Sequence, residues 1–551
     1  MKGSSYNVAR FLKEMGESHP DSLALKSPKK RFSKRPIRYQ TLSFKELDDL
    51  ANSYAHGLNE QGIVKGTRVL LMVKPGTDLI ALVFALFKTG AIPILIDPGM
   101  GLKSLMACIR HSRPEALIAI PVVHVLSYSF QKTFASIHIH ITAGTRIGWR
   151  GVNLKSFKKY HGQAYEDVHS LAQDPAAILF TSGSTGPPKG VAYQHGQFQT
   201  QVDMLKKYFG IHPGEVDLPM LPIFSLFNPA LGMSTVIPQM NPSRPATVDP
   251  ENIIKSINQN RVNNSFGSPV LWWKITRYCQ EKSIELPSLK RVFMAGAPVP
   301  PELIKAFKEQ FPQTRVFTPY GATEALPLSY ITDEEILTQT AELSREGAGM
   351  CVGKPMEENE VRIIKSSDGI IEELPEECAP YQRGEIITKG PVVTLSYDGL
   401  SEETKKAKIL DQNETWHRMG DLGYKDDLGR LWFCGRKAHL VSTHGDLYYS
   451  VCCEAIFNAH PKVMRSALIK LGPEKNRIPA IVVELHKNEK MAPDQLAISL
   501  YQLGQKYAHT KKIKVFFSHK GFPVDVRHNA KIHRADLAHW AATSDPLPLP
   551  L

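Results

Sequence analysis

The chain has 551 residues, 42% hydrophobic and 22% charged, which suits a soluble globular protein too long for one simple core, so two or more domains are expected. Its longest apolar stretches, 78–87 and 91–96, are split by Lys88 and fall short of membrane-spanning length, and residues 1–20 carry no signal-peptide apolar core. The net charge of +13 raises nucleic acid as a partner, but the basic residues are spread along the chain and no helix-turn-helix, zinc-finger or aromatic RNA-binding motif accompanies them, which argues against it.

In chain order, the run "KSPKKRFSKRPIRYQ" (26–40) is the densest basic stretch. It reads as a solvated loop, with an anionic membrane surface or an acidic partner as the sharper alternative. "TLSFKELDDLANSYAHGLNEQG" has helical spacing and a glycine stop. "RVLLMVK" reads as a strand, "LIALVFALFKTG" as a helix and "AIPILID" as a strand. This rhythm continues through "PEALIAI", "AAILFTSGS", "VNNSFGSPVLW" and "RVFMAGAP", and predicts an α/β domain with largely parallel strands. Composition changes after about Gly384, where "GEIITKGPVVTLSY" alternates like a half-exposed strand and "GRLWFCGR" follows a turn. Past Arg436 comes a separate block of alternating helices and strands, a small α+β domain. Predicted boundaries are 1–435 for a large domain, 436–540 for a small one and 541–551 for a Pro-rich disordered tail. The seven cysteines lack CxxC spacing, which points to reduced thiols and a cytosolic location, with peripheral contact to the inner membrane left open.

The stretch "ILFTSGSTGPPKGVAYQHG" (178–196) packs small and hydroxyl residues behind an apolar strand. It is not a Walker A loop, because Pro188 precedes Lys189 and Gly190 follows it, and it lacks the spacing of a nucleophile elbow around Ser184. Glycines admit a ligand to the backbone, amides and hydroxyls donate, and a lysine adds charge, so the chemistry points to an anion.

Four further stretches recur with this one: "MAGAPVPPE" (294–302), "PYGATEALP" (319–327), "HRMGDLGYKDDLGRLWFCGRK" (417–437) and "FPVDVRHNAKIHRADL" (522–537). Together, in this order and across nearly the whole chain, they resemble the adenylate-forming superfamily of acyl-CoA synthetases, peptide-synthetase adenylation domains and firefly-type luciferases. The resemblance implies a large layered N-terminal domain of mixed sheets flanked by helices, plus a small mobile α+β C-terminal domain. It also implies an ATP-binding loop of Thr181, Ser182, Gly183, Ser184, Thr185 and Gly186 with Lys189 around the β- and γ-phosphates. Tyr320 resembles the adenine-packing aromatic, with Gly296, Ala297 and Pro298 beside the ring and Gly321 in the same motif. Thr323 would bond the α-phosphate, and Glu324 would hold Mg²⁺, a hard cation suited to carboxylate oxygen. Asp421 would accept both ribose hydroxyls, Arg436 would reach the ribose, and Lys531 would bridge the attacking carboxylate and the α-phosphate. The implied catalytic set is Lys531, Thr323, Glu324 and Lys189.

The chain departs from the common pattern at "GRKAHLVSTHG" (435–445), where Ala438 and His439 replace two acidic residues and Ser442 a lysine, at Ser225 in place of a histidine, and at Asn529-Ala530 before Lys531. These departures look like one branch, the β-lactone synthetases of bacterial long-chain olefin biosynthesis. That likeness implies a long-chain 2-alkyl-3-hydroxy acid as substrate, closing on its own adenylate without coenzyme A. The tethered hydroxyl gains a large effective concentration. His528 and His439 are positional candidates for the base, and 224–233 and 267–275 for the acyl pocket, where core packing explains the apolar residues equally well. Implied pathway partners are a thiolase-like condensing enzyme, a reductase and a β-lactone decarboxylase. A long-chain fatty acyl-CoA or acyl-AMP ligase is the alternative. A non-catalytic nucleotide-binding scaffold is a third reading, opposed by the intact set Lys189, Glu324, Asp421, Arg436 and Lys531.

Overall fold

The computed structural model describes residues 5–29, 36–180, 187–241, 244–443, 445–473, 477–487, 489–525 and 531–549. Part of the basic run (30–35), the expected ATP-loop residues Thr181 to Gly186, and His528 lie outside the described residues.

Local sequence sets the elements. The helix Phe44–Glu60 begins at a capping box in which Ser43 accepts from the Glu46 N–H and Glu46 accepts from the Ser43 N–H, a cap of about 1 kcal/mol. Helix Thr77–Thr89 is apolar nearly all round because it is buried nearly all round, and it ends on Gly90 at φ 71°, where glycine carries no steric penalty. Its one buried cation, Lys88, is held by Asp48 at 2.9 Å and Asp167 at 3.1 Å.

Two sheets form the large lobe. Seven strands make one, running parallel from Val152–Asn153 through Arg68–Met72 to Pro175–Phe180 and closing with the antiparallel strand Gly190–Gln194. The other has fourteen strands. From Leu23–Pro28 through Val216–Pro219, Asn264–Gly267 and Arg291–Met294 to Arg315–Ala322 its strands are parallel; from there on each pairing is antiparallel. The expectation of mostly parallel strands thus holds for the run from Leu23–Pro28 to Arg315–Ala322 only, and the strands after Gly384, of which Gly384–Lys389 is buried rather than half-exposed, join the same sheet rather than forming one of their own. The largest core lies between the two sheets and their shared helices. A second lies behind the fourteen-stranded sheet, under helices Pro250–Asn260, Pro269–Lys282 and Pro301–Gln310.

Beyond Arg436 a three-stranded sheet (Val463–Leu471, Ile478–Leu485, Val515–Ser518) carries the helices of the small lobe. Helix Ser450–Asn458 is shared between lobes: Cys452 lies in the core behind the large sheet, while its neighbour Cys453 lies in the small-lobe core. The tail is a correction. Of the segment expected to be disordered, the described residues 541–549 instead pack, with the Leu547 N–H donating to the Phe516 carbonyl at 2.8 Å and Leu547 and Leu549 half-buried on the small-lobe core. The leucines between its prolines give it apolar surface to bury, and proline costs little outside a ladder.

Candidate active site

The switch from parallel to antiparallel pairing falls at Arg315–Ala322, and open α/β sheets leave a crevice for ligands at such a point. Ala322 pairs with Ala325, so Thr323 and Glu324 form the tip of a tight hairpin. A Cβ on Gly321 would lie 2.7 Å from the Ala325 carbonyl oxygen, so this turn requires glycine. Tyr193, fully buried, donates its hydroxyl to the Thr323 carbonyl at 2.5 Å. Tyr397 donates to Glu324 Oε1 at 2.8 Å, and Thr394 holds the Glu324 carbonyl through its N–H at 2.9 Å. The seven-stranded sheet has its own switch nearby, where Phe180 pairs with Gly190 across the 181–186 connection. Lys189 follows that connection, 2.8 Å from Glu403 and 4.9 Å above the Tyr397 ring.

Asp421 and Arg436 sit opposite each other on adjacent antiparallel strands, Glu414–Lys425 and Leu431–Arg436. Tyr320 donates its hydroxyl to Asp421 Oδ2 at 2.6 Å, and Arg436 Nη1 lies 3.0 Å from Oδ1. Burial raises the Asp421 carboxyl above its ordinary value, opposed first by Arg436, then by the Tyr320 hydrogen bond, and also by Lys531. Burial and this carboxylate together push the Tyr320 hydroxyl well above its ordinary range, so it stays a donor. Although Arg436 is within ion-pair distance, Oδ1 of Asp421 is buried with no donor among the described residues at hydrogen-bonding geometry. A carboxylate oxygen in that state fits a ligand bearing hydroxyl groups.

A single large cavity, about 2850 Å³, collects the sequence-predicted residues that are described: Lys189, Gly296, Ala297, Pro298, Tyr320, Gly321, Thr323, Glu324, Asp421, Arg436 and Lys531. Gly296 (φ 92°) turns the loop after Arg291–Met294 toward it. Lys531 comes from the small lobe, where its N–H donates to Asp525 Oδ1 at 2.9 Å and Val524 bridges Ile532.

From the end lined by Asp421 and Arg436 the cavity passes into an apolar chamber on the front face of the large sheet. Phe266 and Phe293 occupy paired positions on that face, and Phe224 stacks on Phe266 at 4.0 Å. Leu205, Phe227 and Leu231 line the opposite side. Of the expected acyl segments, Phe224, Phe227, Leu231, Val270 and Trp273 line the chamber, whereas Trp272 is fully buried in the core behind the sheet.

Sequence reasoning missed several residues. Asp217 lines the same cavity one residue pair deeper, opposite Asn264, and takes a hydrogen bond from Asn228 Nδ2 at 3.0 Å. Burial, only partly offset by the Asn228 hydrogen bond, a backbone hydrogen bond at Leu218 and the charge of Arg291, pushes its carboxyl up to about 7. Lys408 is buried with its ammonium donating to the Thr394 carbonyl; burial brings it down to about 7, partly offset by Glu324. Neither carries a motif, and each is visible only once distant strands are paired. His439 lines the cavity, but burial, then Arg534, Arg436 and Lys470, lower it to about 3, so it is a neutral and weak proton acceptor at physiological pH. At the lobe junction Lys437 is anchored on the large lobe, 3.2 Å from Glu385.

The profile of the AMP-binding enzyme family matches residues 12–398. An olefin beta-lactone synthetase from Xanthomonas campestris pv. campestris is 40% identical over 547 residues, covering 97% of each chain. Another from Stenotrophomonas maltophilia is 38% identical over 549 residues, covering 97% of this chain and 98% of the relative. The ATP-bound MatB structure from Rhodopseudomonas palustris superposes with a TM-score of 0.80 at 20% identity, over 98% of this chain and 99% of that one, a likeness of fold. The chain therefore belongs to the AMP-binding enzyme family of the adenylate-forming superfamily, whose members are ATP-dependent, AMP-forming ligases.

Proposed function

We propose that the protein activates a long-chain 2-alkyl-3-hydroxy carboxylic acid as its acyl-adenylate and then closes it to a β-lactone. The observation that carries this reading is the continuity of one cavity from Asp421 and Arg436, past Thr323, into the apolar chamber of Phe224, Leu231 and Phe293. Near full-length similarity to two olefin beta-lactone synthetases supports it.

A substrate carboxylate oxygen attacks the α-phosphorus of ATP, the bond to the β-phosphate breaks, and pyrophosphate leaves. Asp421 receives the ribose hydroxyls on its carboxylate, beside Arg436. Thr323, fixed through Tyr193, and Lys531 donate to the oxygens of the crowded phosphorus. Lys189 exchanges Glu403 for the outer phosphates. Glu324 at the hairpin tip, one oxygen held by Tyr397, offers the hard carboxylate that Mg²⁺ prefers, and the ion when bound neutralises phosphate charge. In the second step the 3-hydroxyl oxygen attacks the acyl carbon, its proton passes to a base, and the acyl–phosphate bond breaks to release AMP. The step is intramolecular and needs no coenzyme A. In its pathway the enzyme would follow a condensing enzyme and a reductase, and precede a lactone decarboxylase.

The test is incubation with ATP, Mg²⁺ and a synthetic 2-alkyl-3-hydroxy acid without coenzyme A. The expected result is AMP, pyrophosphate and the ring-proton signals of a β-lactone by NMR. A thioester formed only when coenzyme A is added, with no lactone without it, would replace this reading with an acyl-CoA ligase.

A further inference from the structure

The seven-stranded sheet carries a surface that the chemistry above leaves unused. Helix Pro121–Ser129 is held to the sheet by Val123, which shares a core with Leu105, Ile109 and Phe134. Its outward side is apolar: Val122 and Val125 are 57% and 55% exposed, and Tyr128 and Phe130 are exposed beyond them. Loop 144–151 lies alongside. The Arg150 N–H donates to the Tyr128 hydroxyl at 3.1 Å, and Trp149 stacks on His124 at 5.6 Å. These contacts bring the tip of that loop, Ile147 at 70% exposure, to the same face. A monomer rarely leaves so many neighbouring apolar side chains in water without a use.

Most of the charge along this stretch of chain is basic, although Lys159 is paired with Glu60 at 2.7 Å. From residue 98 to 165 the sequence holds nine Lys and Arg against one acid, Glu115, and Glu115 is turned inward to accept the Arg68 N–H at 3.1 Å. Arg146, Arg150 and Lys132 are exposed beside the apolar residues. Exposed aliphatic and aromatic groups rimmed by arginine and lysine match the boundary of an anionic bilayer, where rings and alkyl groups enter the headgroup layer and cations stay with phosphate. An acidic protein would match the charge but would not need an aliphatic tip as exposed as Ile147. The patch also lies next to the chemistry: helix Leu102–Ser112, packed in the same core, contributes Ala107 and His111 to the wall of the active-site cavity.

We infer that the face formed by helix Pro121–Ser129 and loop 144–151 docks the protein onto anionic phospholipid membrane, placing the cavity beside a lipid surface. The inference stands whether the product is a lactone or a thioester.

The test is co-sedimentation of the full chain with phosphatidylcholine vesicles, with and without phosphatidylglycerol as about one third of the lipid. Wild type is expected to bind the anionic vesicles and to be released at about 0.5 M salt, where charges are screened within a few ångströms. Arg146→Gln/Arg150→Gln should weaken binding about 25-fold, roughly fivefold per charge. Val122→Ser/Val125→Ser should weaken it as well, and Lys282→Gln/Lys305→Gln on the far side of the large lobe should leave it unchanged. Ile147→Trp supplies a depth probe that brominated lipid should quench. Wild type that stays in the supernatant, patch variants that bind like wild type, or an unquenched Trp at 147 would each overturn the proposal. So would loss of a protein partner by the patch variants with vesicle binding intact. ATP–pyrophosphate exchange with a short soluble acid reads the active site separately.

Discussion

Two buried aspartates face one cavity, and their partners set them apart. Asp421 has a cation 3.0 Å away and a phenol at 2.6 Å, so burial's upward pull on its carboxyl is opposed by real charge. Asp217 has an amide at 3.0 Å, and its carboxyl rises to about 7. The first environment sets cationic and hydroxyl partners around the carboxyl where polar ligand atoms are to be bound. The second tolerates a nearly neutral acid at the floor of an apolar chamber, where an alkyl chain meets little fixed charge. One cavity thus has a charged end and a neutral end, and the hairpin of Thr323 and Glu324 stands between them.

The largest test of that division is at the charged end. Lys531→Ala should slow adenylate formation about 10²–10³-fold in pyrophosphate exchange while leaving nucleotide binding nearly intact, since it removes one preorganised donor. Exchange at the wild-type rate would remove Lys531 from the charged end. Asp421→Asn keeps the shape and removes the charge; kcat/KM for ATP should fall about 10- to 100-fold, with the acid's KM little changed. A matching loss in the acid's KM would mean the two ends are not separate. At the neutral end, Leu205→Trp narrows the chamber. Steady-state kinetics should show about a tenfold loss for long-chain acids and little for short ones.

The smallest effect is expected from Asp217→Asn, with turnover changed by no more than about twofold. Its signature is in stability. The folded carboxyl, near 7, is raised above the unfolded value, so the native state holds a proton that the unfolded chain has released. Wild-type stability from this group is full below about pH 4 and is lost as pH rises toward 7. Melting curves should therefore show the Asn variant gaining on wild type between about pH 4 and 7 and holding its gain above that. A gap independent of pH would mean that Asp217 is ionised throughout, and the contrast between the two ends would fail.

The charged end was legible because its residues travel in short motifs. "YGATE" places a glycine where the hairpin admits no Cβ, and the spacing from Asp421 to Arg436 is that of two adjacent antiparallel strands joined by a turn. Helices such as Phe44–Glu60 and Thr77–Thr89 were readable from apolar spacing and their stop signals. The neutral end was legible only in part, through the apolar segments 224–233 and 267–275 that supply Phe224, Leu231 and Trp273. Asp217 meets Asn264 and Asn228 only through pairings and packing that no local pattern encodes, and Glu403 reaches Lys189 from more than two hundred residues away. The merger of late polar strands into one fourteen-stranded sheet was hidden for the same reason. The tail misled because proline-rich composition signals disorder, while its leucines found a surface.

The paired thiols on helix Ser450–Asn458 have a mechanical consequence. Because Cys452 is rooted in one lobe and Cys453 in the other, that helix acts as a rivet rather than a free arm. Any swing of the C-terminal lobe must first draw a close-packed sulfur out of its socket. The ease of such a swing is then governed by a few cubic ångströms of packing, well away from the peptide that bends.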